Sequence, residues 1–448
     1  MSLQASTDPA AGSRSSVAGW LLLAVLVGGV GLRQGVVHPG RNYLLDFRAY
    51  YAAGKALRLG INPYDIETVQ ARIKLPGRQP VFYCPYPPPA LSLMVPFGAM
   101  PYPAAQIPWC LFQYALAVAA LVMVLRACHV PLGSPVSVLI TTAFLLSGPV
   151  FQLFRWGQFD MIVLALLAAA ILCATRDRSV AAGVLVGLAA LAKVTPCVLL
   201  GVFLIRRDFK ALGAGLLTIV LLLGASYPVI GAEGFALWYG LLTEKLGEVV
   251  HIISPENMSL HGFVYRALID HQSFLGPSVP WINLGPAAAK SVATALVGAI
   301  GFATVAWMIR HRRALSTAEC LAAFAPVILL VSPITWMHHC VLLLLPIAVI
   351  VARIAKIRRP SMLDLGWIVA ILLCLTMWPV QRFQLELPAW LSHGVAPTTT
   401  YAVALTWLFM IVRFVPLKDA AQAITRTTFP DSLGSAKTPE LELVPAAD

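Results

Sequence analysis

Charge is scarce in this chain. Only 12% of its 448 residues are Asp, Glu, Lys or Arg, against roughly 25% in an ordinary soluble domain, and that shortage excludes a soluble enzyme. Alternation of apolar and polar residues is missing too, which argues against a β-sandwich or a Rossmann domain. There is no Gly-rich phosphate loop, Cys-x-x-Cys, His-Glu-x-x-His, Gly-x-Ser-x-Gly elbow or Asp-x-Asp pair, so a nucleotide cofactor has no motif to hold it. The eight cysteines (Cys84, Cys110, Cys128, Cys173, Cys197, Cys320, Cys340, Cys374) show no paired spacing. They read as small packing residues rather than as disulfides or a zinc site.

What fills the space is apolar: 59% of residues, with a mean hydropathy of +0.79, gathered into runs of helix-spanning length. These are Ser16–Leu32, Ala104–Leu125, Ser137–Leu153, Asp160–Ala174, Val180–Ile205, Ala211–Ile230, Pro286–Ile309, Thr317–Val331, Met337–Val351, Leu365–Val380 and Thr399–Val415. The first lacks a small-residue cleavage signature and reads as a retained helix. The run Val180–Ile205 is interrupted by Lys193, Thr195 and Pro196, with Arg176 and Arg178 before it and Arg206, Arg207 and Lys210 after it. A broken hairpin turning near Lys193 puts both basic clusters on the cytoplasmic side, as the positive-inside rule prefers.

With that choice the chain is an all-α polytopic membrane protein of about twelve segments. Arg126, Arg310-His311-Arg312-Arg313, Arg353-Lys356-Arg358-Arg359 and Lys418 then fall inside. The net charge of +12 thus reflects topology, not nucleic acid. The expected organisation is a cytoplasmic N-terminus (1–15), a transmembrane domain (16–417) with a long first outer loop (33–103), and a cytoplasmic disordered tail (418–448). Arg155, Lys193, Lys245, Arg266, Lys290 and Arg382 fall outside. Polar groups gather at the outer mouth of the helices, so the chemistry is expected there.

The first outer loop carries the amphipathic stretch from Asp46 to Gly60, with Phe47, Tyr50, Tyr51 and Leu57 set against Arg48, Lys55 and Arg58. It reads as a helix lying in the membrane interface, with Gly60 as its stop. A proline-rich segment, Tyr83-Cys84-Pro85-Tyr86-Pro87-Pro88-Pro89, follows, and then a run, Ala90–Met100, too short to span. Asp46 has two readings: an N-cap, or a general base held at the bilayer surface. Lys193 is a cation inside an apolar run; it either contacts an anion or snorkels from the hairpin tip. His338 and His339 would point about 100° apart on a regular helix, which makes them a poor pair for one metal ion. One of them is expected to pack while the other faces the cavity, where it either meets a phosphate or simply faces water. Tyr50, Gln158, Asp160, Glu256 and Asn257 add polar groups near the mouth, although turns and caps attract the same residue types.

Read together, several of these motifs resemble glycosyltransferase family 87. They are Asp46-Phe47, Tyr50-Tyr51, Asn62-Pro63-Tyr64-Asp65, Tyr86-Pro87-Pro88, Gly157-Gln158, Leu188-Ala189 with Lys193 and Thr195-Pro196, Asn257-Met258-Ser259-Leu260, and Ser332-Pro333 with Trp336 and His338-His339. The resemblance spans about Asp46 to Val351. It implies a GT-C fold, a polyprenyl-phosphate-sugar donor (commonly mannose), an essential aspartate mapping to Asp46, and a donor-phosphate histidine mapping to His338 or His339. Where the family pattern has Asn two positions after Gly-Gln, this chain has Asp160, a departure that bears on donor or acceptor preference.

The resulting expectation is an inverting glycosyltransferase, most readily an α-mannosyltransferase, acting on a lipid or glycan acceptor at the outer face of a bacterial inner membrane. Asp46 would be the base, Lys193 with His338 or His339 would hold the phosphate, and Tyr50, Gln158, Asp160, Glu256 and Asn257 would lie near the sugars. One carboxylate suffices because a phosphate leaves readily, unlike the pair needed to hydrolyse a glycoside. No cofactor beyond the donor, no metal and no nucleic-acid partner is expected, while membrane lipids are. The competing expectation is a secondary transporter or flippase for a lipid-linked sugar.

Overall fold

The computed structural model describes residues 15–37, 44–77, 81–245, 248–273, 276–278, 280–357, 359–376 and 398–417. The N-terminal segment up to residue 14, the tail 418–448, residues 377–380 of the run ending at Val380, and Arg382 lie outside the described residues.

The architecture is helical. α1 (Val17–Leu32) runs on through a π-helical turn, Arg33–Val37. α2 (Leu45–Arg58), α3 (Ile66–Arg72), α4 (Pro88–Ser92) and α5 (Val95–Gly98) form the first loop region. Then come α6 (Tyr102–Ala127), α7 (Pro135–Leu145), α8 (Gly148–Trp156), α9 (Asp160–Ala174), α10 (Ser179–Ala192), α11 (Leu200–Arg206) and α12 (Phe209–Gly240). α13 (Val249–Ile252) and α14 (Leu260–Leu268) precede one short antiparallel hairpin, His271–Ser273 with Gly276–Ser278. α15 (Gly285–Arg310), α16 (Thr317–Val331), α17 (Leu344–Ile354), α18 (Met362–Thr376) and α19 (Thr398–Val412) complete the described chain.

Helix starts follow from short polar side chains that satisfy the orphan N–H groups of a first turn. Ser16, Ser134, Ser147 and Ser259 cap α1, α7, α8 and α14. Ser316 and Glu319 form a reciprocal capping box on α16. α2 ends as its sequence suggests. Gly60 takes φ +66°, its N–H reaches the Leu57 carbonyl, and the Ile61 N–H reaches Ala56 at 2.9 Å, closing a Schellman motif.

Among the described residues, five helical segments are long and apolar enough to cross a membrane: Val17–Val37, Tyr102–Ala127, Phe209–Glu244, Gly285–Arg310 and Met337–Ile354. α7 and α8 make a sixth if they count as one bent span. Six further apolar helices are shorter. α1 and α12 expose leucine and valine along their length, which suits contact with lipid tails. Met337–Ile354, by contrast, is buried at the centre against α16, α7 and α19.

Three expected runs are interrupted. The run Ser137–Leu153 bends by 47° between α7 and α8, because Ser147 caps a new helix and Pro149 cannot continue the old one. The run Met337–Val351 begins as a 3-10 helix over Met337–Leu343. The run Val180–Ile205 breaks at Lys193, whose backbone is extended (φ −158°, ψ 132°). A 3-10 turn, Thr195–Leu199, then leads into α11. A Cβ placed on Gly215 of α12 would meet both the Gly183 carbonyl and the Leu200 side chain within 3 Å. The chain therefore doubles back about Lys193, with α10 and α11 side by side.

α2 differs from its expected setting. It is enclosed by protein rather than laid on a surface, with Phe47, Arg48, Tyr50, Tyr51 and the alanines of its length buried. Its aromatic residues meet the Tyr102 and Trp109 side chains of α6 and Phe97 of α5. On the far side Gly54 touches the Met94 carbonyl. The aromatic residues that suggested an interfacial helix are instead spent on packing.

Candidate active site

Asp46 is the second residue of α2 and not its cap: the N-cap position is Leu44, and among the described residues no side-chain cap bonds the first turn. The cap reading therefore falls away, and the carboxylate is free for other work. Its Oδ2 accepts a hydrogen bond from Gln158 Nε2. One helical turn on, Tyr50 points the same way, and its hydroxyl donates to Gln158 Oε1 at 2.6 Å. Tyr86, from the proline-rich segment, donates to the same oxygen at 3.1 Å.

Gln158 reaches this position because α8 stops abruptly. Gly157 adopts φ +73°, and a Cβ there would lie 2.8 Å from the Phe47 Cβ. Both the left-handed backbone and the close approach of α2 thus demand glycine. The Gly157 carbonyl accepts from Trp109 Nε1 at 2.9 Å. Phe159, next in line, packs against Tyr50 and Tyr86 with ring centroids at 4.8 and 4.9 Å. An aromatic box of Phe47, Tyr50, Tyr86, Trp109 and Phe159 consequently holds the Asp46–Gln158 pair.

The other half of the site is built around Asp160, the first residue of α9, where a helix N-terminus favours an anion. Its Oδ1 accepts from Lys193 Nζ at 2.8 Å. Its Oδ2 faces His338 Nε2 at 3.8 Å, and neither of those two buried atoms has a hydrogen-bond partner among the described residues. The Lys193 ammonium also lies 5.9 Å from the centre of the Tyr86 ring, a cation–π contact. A continuous chain of contacts therefore runs from Asp46 through Gln158, Tyr86, Lys193 and Asp160 to His338.

His338 and His339 sit on the 3-10 turn with their rings edge to face, centroids 4.6 Å apart. His339 lines a small cavity with Asp160, Lys193, Thr195, Ser332 and Thr335. One ligand atom each from Asp160, His338 and His339 lies within 4.8 Å of the others. The two rings thus converge more than the 100° spacing of a regular helix suggests, and the three residues could hold a cation. Lys193 already supplies a positive charge to the same carboxylate.

Burial pushes the Asp46 carboxyl up from 3.8 to about 7. The hydrogen bond from Gln158 opposes that rise, as does the positive charge of Lys193, while Glu256 and Asp160 add to it. Loss of hydration also raises the Glu256 carboxyl, with Arg155 pulling the other way. Asp46, Glu256, Lys193 and Asp160 consequently share one electrostatic environment. A carboxylate poised near neutrality can take a proton at physiological pH and release it again.

The expected site residues divide into two groups. Asp46, Tyr50, Gln158, Asp160, Lys193, His338 and His339 come together. Gln158, Tyr50 and Asp160 bind other side chains of the site rather than open space. Glu256 is solvent-exposed and takes part only through its charge on Asp46. Asn257 is fully buried, and its amide is consumed by backbone. It donates to the Ile252 and Pro333 carbonyls and accepts from the Ser259 and Thr335 N–H groups. Asn257 therefore clasps two loops together and offers nothing to a ligand. Sequence reasoning left Tyr86, Trp109 and Phe159 out of the site. Of these only Tyr86 carried a signal, its place in a proline run that fixes an extended backbone.

Comparison with known proteins bears on the same stretch. The family model described as Glycosyltransferase family 87 matches residues 83–333. A Mycolicibacterium smegmatis polyprenol-phosphate-mannose-dependent alpha-(1-2)-phosphatidylinositol pentamannoside mannosyltransferase is 29% identical over 300 residues, covering 64% of this chain and 66% of that protein. A second protein of that organism, a polyprenol-phosphate-mannose-dependent alpha-(1-2)-phosphatidylinositol mannoside mannosyltransferase, is 28% identical over 54% of this chain and 51% of its own length. The Mycobacterium tuberculosis pentamannoside mannosyltransferase is 26% identical over 75% of this chain and 76% of its own. The chain thus spans about half to three quarters of the relatives it matches.

Proposed function

The chain belongs to glycosyltransferase family 87, and from that membership we propose that it is an inverting α-mannosyltransferase using polyprenyl-phosphate-mannose. Its acceptor would be a lipid or glycan hydroxyl, of which the phosphatidylinositol mannosides named for its relatives are the nearest guide. The observation that carries this reading is the unbroken line of contacts between Asp46 and His338, which sets a base at one end of the site and the Lys193–Asp160 pair with two imidazoles at the other.

In the proposed reaction Asp46, ionised, accepts the proton of the acceptor hydroxyl. The hydroxyl oxygen bonds to the anomeric carbon from the face opposite the phosphate, and the bond from that carbon to the phosphate oxygen breaks. The electron pair leaves with polyprenyl phosphate, whose added negative charge meets the Lys193 ammonium and an imidazole of His338 or His339. A β-linked donor gives an α-glycoside. Asp160 anchors Lys193, and Glu256 and Arg155 stand at the mouth where an acceptor enters.

The finer topology belongs to the same proposal. Counting the bent pair once, the long and short apolar helices among the described residues number twelve, which supports about twelve membrane segments. The basic clusters then lie on the cytoplasmic side and the α2 loop on the outer side. In a bacterial inner membrane the donor's polyprenyl chain would rest against the helices while its headgroup reaches α2.

The test is purified protein in detergent with polyprenyl-phosphate-mannose and phosphatidylinositol mannoside acceptors, read by mass spectrometry. One added hexose, lost in Asp46→Asn, is expected. Full turnover by Asp46→Asn would remove the proposed base.

A further inference from the structure

We propose that Gln158 is a positioning residue for the base, its amide locked by the hydroxyls of Tyr50 and Tyr86 so that the NH2 group, and not the carbonyl, faces Asp46. The inference rests on the transfer reaction proposed above and gives a role to a residue that the sequence alone had placed near the sugars.

Counting protons shows why the lock holds. Two buried phenols bring two O–H protons to one oxygen: Tyr50 donates to Gln158 Oε1 at 2.6 Å and Tyr86 at 3.1 Å. An amide oxygen carries two acceptor sites, so both protons are satisfied. The Gln158 Nε2 hydrogens are then left for Asp46. If the amide turned over, the NH2 group would face the phenols and both would have to accept. One phenol could still donate to the other, because their oxygens are 3.1 Å apart. The second phenol proton would have no acceptor among its described contacts, although both phenols are buried. The turned amide would also set its carbonyl oxygen against the Asp46 carboxylate. Both consequences oppose the flip, since a stranded buried donor and two facing acceptors are each unfavourable.

The lock acts on chemistry through Asp46. A donated hydrogen bond favours the ionised carboxylate and offsets the burial that disfavours it. It also occupies Oδ2, so the proposal gives the acceptor hydroxyl to Oδ1. Tyr86 serves both halves of the site, because its ring is the one that Lys193 overlies. The base and the phosphate end are therefore held by a common side chain.

The test reads Asp46 directly and does not depend on turnover. Infrared difference spectra between the full chain and its Asp46→Asn variant report the carboxyl band of Asp46 as pH is varied. In Gln158→Leu, which keeps the volume and removes the donor, the titration midpoint is expected to rise by about one to two pH units. In the Tyr50→Phe/Tyr86→Phe double variant, which frees the amide to turn, it is expected to rise in the same direction. Where transfer is measurable, the acidic limb of kcat/KM should move with the band. An unmoved midpoint in Gln158→Leu overturns the positioning role. An unmoved midpoint in the double phenylalanine variant overturns the lock. Should either variant fail to accumulate folded, the other carries the test. If the unsubstituted chain makes no glycosidic bond, the proposed reaction falls while the infrared midpoints still decide the clamp.

Discussion

Replacing Asp46 by asparagine tests the base through two properties that ought to move in opposite directions. In the folded chain the carboxyl is raised from 3.8 to about 7, so its ionisation is disfavoured by about 4 kcal/mol at most. Water reaching the partly exposed side of Asp46 reduces that figure. Because the folded-state value is the higher one, folded protein binds more protons than unfolded protein between about pH 4 and 7, and stability declines as pH rises through that window. Asparagine keeps the shape and removes the penalty. At about pH 8 the variant should unfold several degrees above the unsubstituted chain, while transfer drops roughly 10²–10⁴-fold, the usual worth of a general base. In the unsubstituted chain kcat/KM should fall about tenfold per pH unit below about 7 as the base is protonated. The assays are thermal unfolding in detergent and initial rates of mannosyl transfer across pH. A rate that is flat from about pH 5 to 8, or an asparagine variant that is both active and less stable, refutes the reasoning.

Other perturbations follow from the same contacts. Lys193→Met leaves the buried Asp160 carboxylate unpaired and should destabilise the fold by about 3–5 kcal/mol; adding Asp160→Asn should restore the unfolding temperature without restoring donor binding, as thermal shift and donor titration will report. Gly157→Ala places a methyl group 2.8 Å from the Phe47 Cβ at φ +73°. It should lower both stability, by roughly 1–3 kcal/mol, and activity, because α2 must move and take Asp46 with it. Since Lys193 already balances Asp160, exhaustive chelation should leave transfer intact; a loss reversed by one divalent ion would reassign His338 and His339 as metal ligands.

Much of this arrangement was legible in the residues because membrane helices announce themselves. The runs Asp160–Ala174 and Thr317–Val331 coincide with α9 and α16 to the residue, since Ser316 and the turn before Asp160 mark their starts. The break at Lys193 was legible for the same reason, a charge in the middle of an apolar run with a proline three residues on. What could not be read was which polar residues would face one another. Asn257 looked like Gln158 in sequence, a lone amide beside a helix. Only the third dimension shows that Pro333 and Thr335 consume one, while Tyr50 and Tyr86 aim the other. The burial of α2 was hidden likewise, because aromatic residues suit an interface and a protein interior equally well.

The central claim is that one pocket takes a sugar from a lipid phosphate and forms a new bond with inversion. Its most direct measurement is nuclear magnetic resonance of the anomeric centre in product made by the purified chain from β-linked polyprenyl-phosphate-mannose. The account predicts a single added mannose in α linkage. A β-linked product, or donor consumed or moved with no new glycosidic bond, would contradict it.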